Sequence, residues 1–157
     1  MIEASKVCVS FGPKRILHDV DFTAHPGEIT AIIGPNGSGK TTFLKALSGD
    51  LQAKGSIRLN GHDLYGVKPW QAAALRGVLP QATVLSFPFT VREVVRLGLS
   101  GGRSGVPAKE AELLPERALA RVDLEGFAGR FYQELSGGEQ QRVQLARVLC
   151  QVWAPVL

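Results

Sequence analysis

Residues 29–42 read ITAIIGPNGSGKTT, and this stretch decides the fold. The short apolar run Ile29–Ile33 is typical of a β-strand that is buried on both faces. Gly34–Thr41 matches the phosphate-binding pattern G-x-x-x-x-G-K-[ST] in full. Apolar side chains at helical spacing follow over residues 39–48. The order of strand, glycine-rich loop and helix therefore predicts an α/β protein built around a phosphate-binding loop.

The loop has the chemistry that a nucleoside triphosphate needs. Its glycines let backbone N–H groups turn inward and lie close to phosphate oxygens, and the helix that follows adds its positive N-terminal end. Lys40 is expected to reach the β- and γ-phosphates, and the hydroxyl of Thr41 is expected to ligate Mg²⁺. A glycine-rich turn that fits the pattern by chance is the alternative. The predicted nucleotide-binding residues of this loop are Gly34, Pro35, Asn36, Gly37, Ser38, Gly39, Lys40, Thr41 and Thr42.

The N-terminal part of the chain favours antiparallel β-structure. Apolar and polar residues alternate over residues 7–11 and 20–24, which predicts two half-exposed strands joined through the turn at residues 12–14. A third alternating segment, residues 56–59, runs into Asn60-Gly61, which is typical of a tight hairpin.

Helical patterns dominate from about residue 84. The pair Thr90 and Glu93 has the spacing of a capping box, in which each side chain satisfies a backbone N–H at a helix start. Pro115 interrupts the pattern of residues 108–122, which predicts two helical pieces there. Residues 84–135 are therefore expected to form a helical subdomain. Gly77–Leu79 is a weaker candidate for a strand.

Leu135–Arg142 reads LSGGEQQR and carries the second motif. Ser136 and Glu139 form another capping-box pattern ahead of a helix over residues 137–151. Two successive glycines in a helix cost roughly 1 kcal/mol each, and an ordinary helix start does not need them. A helix start whose backbone must approach a phosphate does need such glycines. The stretch resembles the signature of the ABC ATPase family.

The resemblance covers the whole chain and implies a P-loop NTPase with a RecA-like core. In that family the signature faces the γ-phosphate of an ATP held by a second subunit. Ser136, Gly137, Gly138 and Glu139 are thereby expected to bind ATP across a homodimer.

Two single residues also match family positions. Phe11 matches the aromatic residue that stacks on adenine, with a core aromatic as the alternative. Gln81 matches the glutamine that contacts Mg²⁺ and the attacking water, with an ordinary loop glutamine as the alternative. The resemblance thus assigns catalytic roles to Lys40 and Gln81 and metal contacts to Thr41 and Gln81.

Residues 84–99 are similar to the corresponding segment of bacterial ABC importers for iron chelates, heme and cobalamin. The string SFPFTV at residues 86–91 and the tail at residues 151–157 most resemble heme-import ATPases. The resemblance implies an energy-coupling subunit at the cytoplasmic face of the bacterial inner membrane. Its expected partners are membrane permease subunits and, indirectly, a periplasmic substrate-binding protein. The cargo stays open among heme, siderophores and cobalamin.

The family also needs an acidic pair after a further apolar strand, and a switch histidine beyond it. Asp123 and Glu125 lie before the signature, and His18, His25 and His62 lie too early in the chain. Residues 1–157 are therefore expected to be an ABC nucleotide-binding domain that is incomplete at its C-terminus, with an open apolar sheet edge and little hydrolysis. A non-catalytic ATP-binding fragment and a soluble, non-transport ABC ATPase are the alternatives.

Composition excludes several other classes of protein. The chain has 157 residues, 45% of them hydrophobic, and a formal net charge of +4, which fits one ordinary globular domain. There is no block of five or more Lys or Arg residues, so the sequence does not favour nucleic acid as a partner. No apolar run is long enough to span a bilayer, and the first ten residues do not resemble a signal peptide.

Overall fold

The computed structural model describes residues 1–80, 87–100 and 107–153. They belong to two compact units, Met1–Ala72 and Ala73–Leu157. The first unit holds strands β1 to β4 and helix α1, helix α2 spans the boundary, and the second unit holds α3 to α6. The elements are β1 (Ile2–Phe11), β2 (Lys14–Ala24), α1 (Lys40–Leu47), β3 (Lys54–Leu59), β4 (His62–Asp63), α2 (Pro69–Leu75), α3 (Val91–Arg96), α4 (Ala108–Ala111), α5 (Leu114–Ala120) and α6 (Gly137–Val152), with 3₁₀ turns at Leu97–Leu99 and Tyr132–Glu134.

The first unit is built on an antiparallel sheet with the strand order β2-β1-β3-β4. Phe11 pairs with Lys14 across the first hairpin turn, and Leu59 pairs with His62 across the second. Asn60 and Gly61 both have positive φ angles, 49° and 82°, which the tight hairpin requires. The predicted antiparallel β portion near the N-terminus is confirmed.

Strand β1 is irregular in the middle. Its register against β2 shifts between Ala4 and Val7 and again beyond Val7. At the same place Gly55 of β3 has a φ of +100°, and a Cβ added there would lie 2.4 Å from the carbonyl oxygen of Lys6. The two backbones approach so closely that only glycine fits at position 55.

Helix α1 is anchored to β2 by an edge-to-face pair of aromatic rings. The ring centroids of Phe22 and Phe43 lie 5.4 Å apart at an interplanar angle of 84°. Phe43 and Leu47 are buried as helical spacing predicts, whereas Leu44 is 53% exposed. The packing fixes where the helix begins relative to the sheet.

The second unit has its own core, which α6 shares with α3 and α5. Val91, Val94, Leu114, Val143 and Cys150 are among its fully buried members. The predicted interruption at Pro115 is confirmed, because α5 begins at Leu114 and Pro115 occupies its first turn. A polar contact lies inside this core: the side chain of Gln144 donates to the Tyr132 hydroxyl at 3.1 Å.

Glycine brings one turn against the backbone of α6. A Cβ added to Gly98 would lie 2.1 Å from the carbonyl oxygen of Arg147 and 3.1 Å from the Cβ of Cys150. The 3₁₀ turn Leu97–Leu99 therefore packs directly on the main chain of the helix.

The predicted strand over Ile29–Ile33 is wrong. The segment has no regular secondary structure, and Ile29 and Ile33 are 101% and 91% exposed. A strand is held by hydrogen bonds to a neighbour, and in the described part of the chain no strand lies beside these residues. Gly77–Leu79 is likewise irregular rather than a strand, and Val78 and Leu79 are each 44% exposed.

Among residues 1–80, 87–100 and 107–153, no helix combines the length and the apolar character needed to cross a bilayer.

Candidate nucleotide-binding site

The glycine-rich loop leads directly into α1 and lies at the surface. Gly37 and Gly39 have φ angles of 82° and 92°, values that only glycine adopts without strain. Gly39 is the N-cap of α1, and no side chain caps this helix start. The backbone N–H groups at the beginning of α1 are thus available to an anion, which is the arrangement of a phosphate-binding loop.

Lys40 folds back over the loop. Its ammonium group donates to the carbonyl oxygens of Gly34 at 2.7 Å and Pro35 at 2.8 Å. These bonds use two of the three N–H donors of the lysine. They hold the cation over the loop, at the place where the pattern requires it, and leave one donor for a phosphate oxygen.

A cleft of about 410 Å³ adjoins the loop. Leu17 and Phe22 of β2 and Phe43 of α1 form its apolar wall, and Ser38 and Lys40 lie on the loop side. A Cβ added to Gly39 would lie 3.0 Å from the Cδ2 of Leu17, so the end of the loop packs tightly on β2. The hairpin therefore sets the position of the loop.

The start of α6 is closed by its own side chains. The Glu139 carboxylate accepts from the Ser136 backbone N–H at 2.8 Å and from the Ser136 hydroxyl at 2.6 Å. The Glu139 N–H in turn donates to the Ser136 hydroxyl oxygen at 3.4 Å, which completes the predicted capping box. The Ser136 hydroxyl and N–H hold the pKa of Glu139 below its usual value, and the charges of Arg130 and Arg142 add to the effect.

Gly137 and Gly138 follow this cap and are exposed. A Cβ added to either residue would meet nothing within 4 Å, and neither has a positive φ angle. Local packing and backbone conformation therefore do not explain why both residues are glycine.

Helix α3 begins in the same way as α6. The Glu93 carboxylate accepts from the Thr90 backbone N–H and from the Thr90 hydroxyl, both at 2.7 Å. Both bonds lower the pKa of Glu93. The predicted Thr90–Glu93 capping box is confirmed. Helix α3 therefore begins with the same kind of cap as α6 but without the two glycines.

The remaining sequence-predicted residues are placed as follows. Phe11 ends β1 and is 54% exposed, so it is not a core aromatic, and its adenine contact stays a prediction. Thr41 is exposed and Thr42 is half-buried in the first turn of α1. Gln81 lies outside the described residues. The three histidines are exposed. The loop belongs to the first unit and the signature to the second.

Two groups of functional interest were not predicted. Arg130 and Arg142 act on Glu139 electrostatically, and Arg142 follows Glu139 by three residues on α6. The Cys8 thiol contacts Arg15 at 2.9 Å and Asp19 at 3.1 Å, a cluster that depends on the irregular register of β1. Cys150 is buried, and desolvation raises its thiol pKa to about 11, so this cysteine is inert at neutral pH.

Two relatives, two solved structures and one protein family are similar to this chain. The chain is 72% identical over 157 residues to the hemin import ATP-binding protein HmuV of Mesorhizobium japonicum, covering all of this chain and 60% of the relative. It is 66% identical to the protein of the same name in Chelativorans sp., with the same coverage. The chain thus spans about 60% of the length of these relatives. A solved structure titled "Structure of ATP binding subunit of ABC transporter" matches with a TM-score of 0.81 at 27% identity, over 96% of this chain and 62% of that one.

A second solved structure is cbiO1 from Clostridium perfringens, part of the ABC transporter complex cbiONQ, with a TM-score of 0.82. It is 23% identical over 96% of this chain and 61% of that chain, and it shows the fold alone. These structures confirm the predicted fold class, a P-loop NTPase. The protein family described as "ABC transporter" matches residues 17–154. The chain therefore belongs to the ABC transporter ATPase family.

Proposed function

We propose that this chain is the ATP-binding, energy-coupling part of a bacterial ABC importer for heme or an iron chelate. The glycine-rich loop supports ATP binding, because Lys40 lies over a helix start that no side chain caps. The names of the relatives support the cargo, since both are hemin import ATP-binding proteins. Siderophores and cobalamin stay open as alternative cargo.

The nucleotide is held by the loop residues in this proposal. The N–H groups of Gly37–Thr42 surround the β- and γ-phosphates, Lys40 neutralises them, and Phe11 stacks on adenine. The Thr41 hydroxyl and phosphate oxygens form the hard oxygen donor set that Mg²⁺ prefers, with Gln81 as a further ligand. Bound Mg²⁺ would neutralise charge that develops on the phosphates. Gln81 orients the attacking water.

A second copy of the chain completes the site in a homodimer. Ser136, Gly137, Gly138 and Glu139 of each copy face the γ-phosphate held by the other. The open space above Gly137 and Gly138 supports this role, because a phosphate can reach their backbone N–H groups without meeting a side chain.

Permease subunits dock on a face formed by Gln81 and residues 84–99. Phe87 is 68% exposed and meets the half-buried ring of Phe89 edge-on, with 6.4 Å between centroids. Exposed aromatic residues often mark interfaces, which supports this face. A periplasmic substrate-binding protein acts through the permease, the chain lies at the cytoplasmic face of the inner membrane, and nucleic acid is not a partner.

Cysteine cross-linking tests the docking face. Single cysteines at positions 87–92, apart from the fully buried position of Val91, are expected to form cross-links to the permease in an assembled complex. A cysteine at Leu113, which is 61% exposed in the same unit, is the matched control and should not react with the permease. A complex that assembles without any link from positions 87–92 would contradict the proposed face.

Calorimetry tests the ATP site. Lys40→Ala is expected to weaken ATP binding by about tenfold to a hundredfold, because a hydrogen bond to a charged group contributes roughly 1.5–3 kcal/mol. Lys45→Ala removes an equal charge from an exposed residue in the last turn of α1 and should leave the affinity near that of the unsubstituted chain. Equal affinities for the two variants would refute the site.

Two other functions of the family are separated by further measurements. Copurification with a membrane permease distinguishes an importer subunit from a soluble, non-transport ABC ATPase. Lys40-dependent release of phosphate distinguishes a hydrolysing subunit from a chain that binds ATP without turnover.

A further inference from the structure

The start of the signature helix α6 already has a bound anion, the carboxylate of Glu139. Both polar hydrogens of Ser136, on the hydroxyl and on the backbone nitrogen, are donated to the Glu139 carboxylate. These are donors of the kind that a phosphate oxygen at a helix start would accept. A carboxylate of the chain therefore holds the hydroxyl that the signature would offer to ATP.

The charges nearby strengthen this arrangement. Arg130 and Arg142 act on Glu139 in the same direction as the hydrogen bonds from Ser136, and all of them favour the ionised carboxylate. With Glu139 charged, this carboxylate offsets part of the positive potential from the two arginines and the helix end. An incoming phosphate consequently meets both a competing acceptor and a like charge.

We infer that the Glu139 carboxylate competes with phosphate for the Ser136 hydroxyl, which it holds until a phosphate displaces it, and that it thereby limits how tightly the signature binds phosphate. The inference rests on the proposed function for its physiological ligand, ATP on a second subunit. The competition itself is a property of this chain alone. It predicts that removing the charge of Glu139 tightens phosphate binding at α6.

The variant Glu139→Gln tests the competition with little change to the fold. Glutamine is also a normal third residue of a capping box, so the helix start keeps its cap. The amide oxygen is neutral and accepts a weaker hydrogen bond than a carboxylate. The hydroxyl of Ser136 is then easier to redirect, and the repulsion of a phosphate is gone.

The probe is inorganic tripolyphosphate, titrated into the ¹⁵N-labelled full chain at low ionic strength without Mg²⁺. Binding at α6 is followed through the backbone amide signals of Gly137 and Gly138. We expect Glu139→Gln to lower the apparent dissociation constant at these signals by about fivefold, the effect of one exposed charge near a helix end. High salt should shrink the difference.

The matched control is Glu93→Gln, which makes the same change in the capping box of α3. It should shift the thermal unfolding midpoint about as much as Glu139→Gln and leave the Gly137 and Gly138 titrations as they are in the unsubstituted chain. Ser136→Ala supplies the second arm. Because it removes the contested hydroxyl, the gain from Glu139→Gln should be smaller in the Ser136→Ala background.

Two results would overturn the inference: equal affinities at Gly137 and Gly138 with Glu139 and with Gln, or no response of these signals in any variant. The loop reports on the proposed function separately in the same titration. Shifts at Gly37 and Gly39 that vanish in Lys40→Ala support a phosphate site in the loop, and their absence counts against the proposed function. Neither loop result changes how the α6 signals are interpreted.

Discussion

Helices α1 and α6 both begin with backbone N–H groups that have no partner within the helix, but the two helix starts are capped differently. At α1 the N-cap is Gly39, no side chain caps the first turn, and that turn contains no acidic residue. At α6 the side chains of Ser136 and Glu139 form a capping box. The first arrangement keeps backbone donors available at a cost in stability, and the second satisfies the N–H groups of Ser136 and Glu139 within the chain. The difference indicates that a ligand is the natural partner of the α1 start, whereas a ligand at α6 must compete.

Among the substitutions that test this comparison of α1 and α6, Gly39→Ala should have the largest effect on folding. Position 39 has a φ of +92°, and a Cβ there would lie 3.0 Å from Leu17. Strain of this kind costs about 1–3 kcal/mol, so chemical denaturation should show a loss of that size. Gly129→Ala is the control, because a Cβ at Gly129 meets nothing within 4 Å. An unchanged free energy of unfolding for Gly39→Ala would show that the loop relaxes at no cost.

Ser136→Ala should lower the free energy of unfolding by about 1 kcal/mol, since it removes the side-chain cap of α6. Ser38→Ala, just before the uncapped start of α1, should change it by less than about 0.5 kcal/mol, because no side chain caps that helix. Urea denaturation of the two variants measures the difference. Equal losses would contradict the contrast between the two helix starts.

Gly138→Ala should act in the opposite direction to Gly39→Ala. The backbone at Gly138 suits any residue and leaves room for a methyl group, so alanine should stabilise the chain by about 0.5–1 kcal/mol. The same substitution should weaken tripolyphosphate binding at α6, because it covers the bare backbone. A variant that is both more stable and unchanged in phosphate binding would remove the reason for a glycine at this position.

The smallest expected effect is on pH dependence. The folded-state pKa of Glu139 lies below its ordinary value of 4.5, so its stabilising contribution is complete above 4.5 and is lost as pH falls through the folded value. Thermal unfolding of the unsubstituted chain should therefore decline more steeply below about pH 4.5 than that of Glu139→Gln. Parallel profiles for the two proteins would show that the bonds from Ser136 to Glu139 contribute nothing in solution.

Local features of this chain could be predicted from its sequence. The turn at Asn60-Gly61 depends on the conformational preferences of those two residues, and the capping boxes at Thr90 and Ser136 depend on spacing of three residues. Each feature is decided by neighbours in the chain, and each was correctly placed. The loop Gly34–Thr41 was likewise recognised from its pattern, and the match to the ABC transporter family supports it.

Features that depend on distant residues could not be predicted in the same way. The run Ile29–Ile33 has strand-like composition, but a strand exists only when another strand supplies its hydrogen bonds. The contact of Cys8 with Arg15 follows from register shifts in β1 that no single segment encodes. The bonds from Lys40 to the carbonyls of Gly34 and Pro35 depend on how the loop folds back.

The close packing of the Gly98 backbone limits which residues this protein can accept at position 98. Its α-hydrogens face the Arg147 carbonyl, and even one methyl group would overlap that oxygen. In a library that samples all twenty residues at each position, position 98 should accept glycine alone, whereas positions 137 and 138 should accept many residues as long as selection acts only on folding. Selection for the proposed transport function would then reduce the set of residues tolerated at 137 and 138 and leave the set at 98 as it was. Comparing the two selections separates glycines required for packing from glycines required by a ligand.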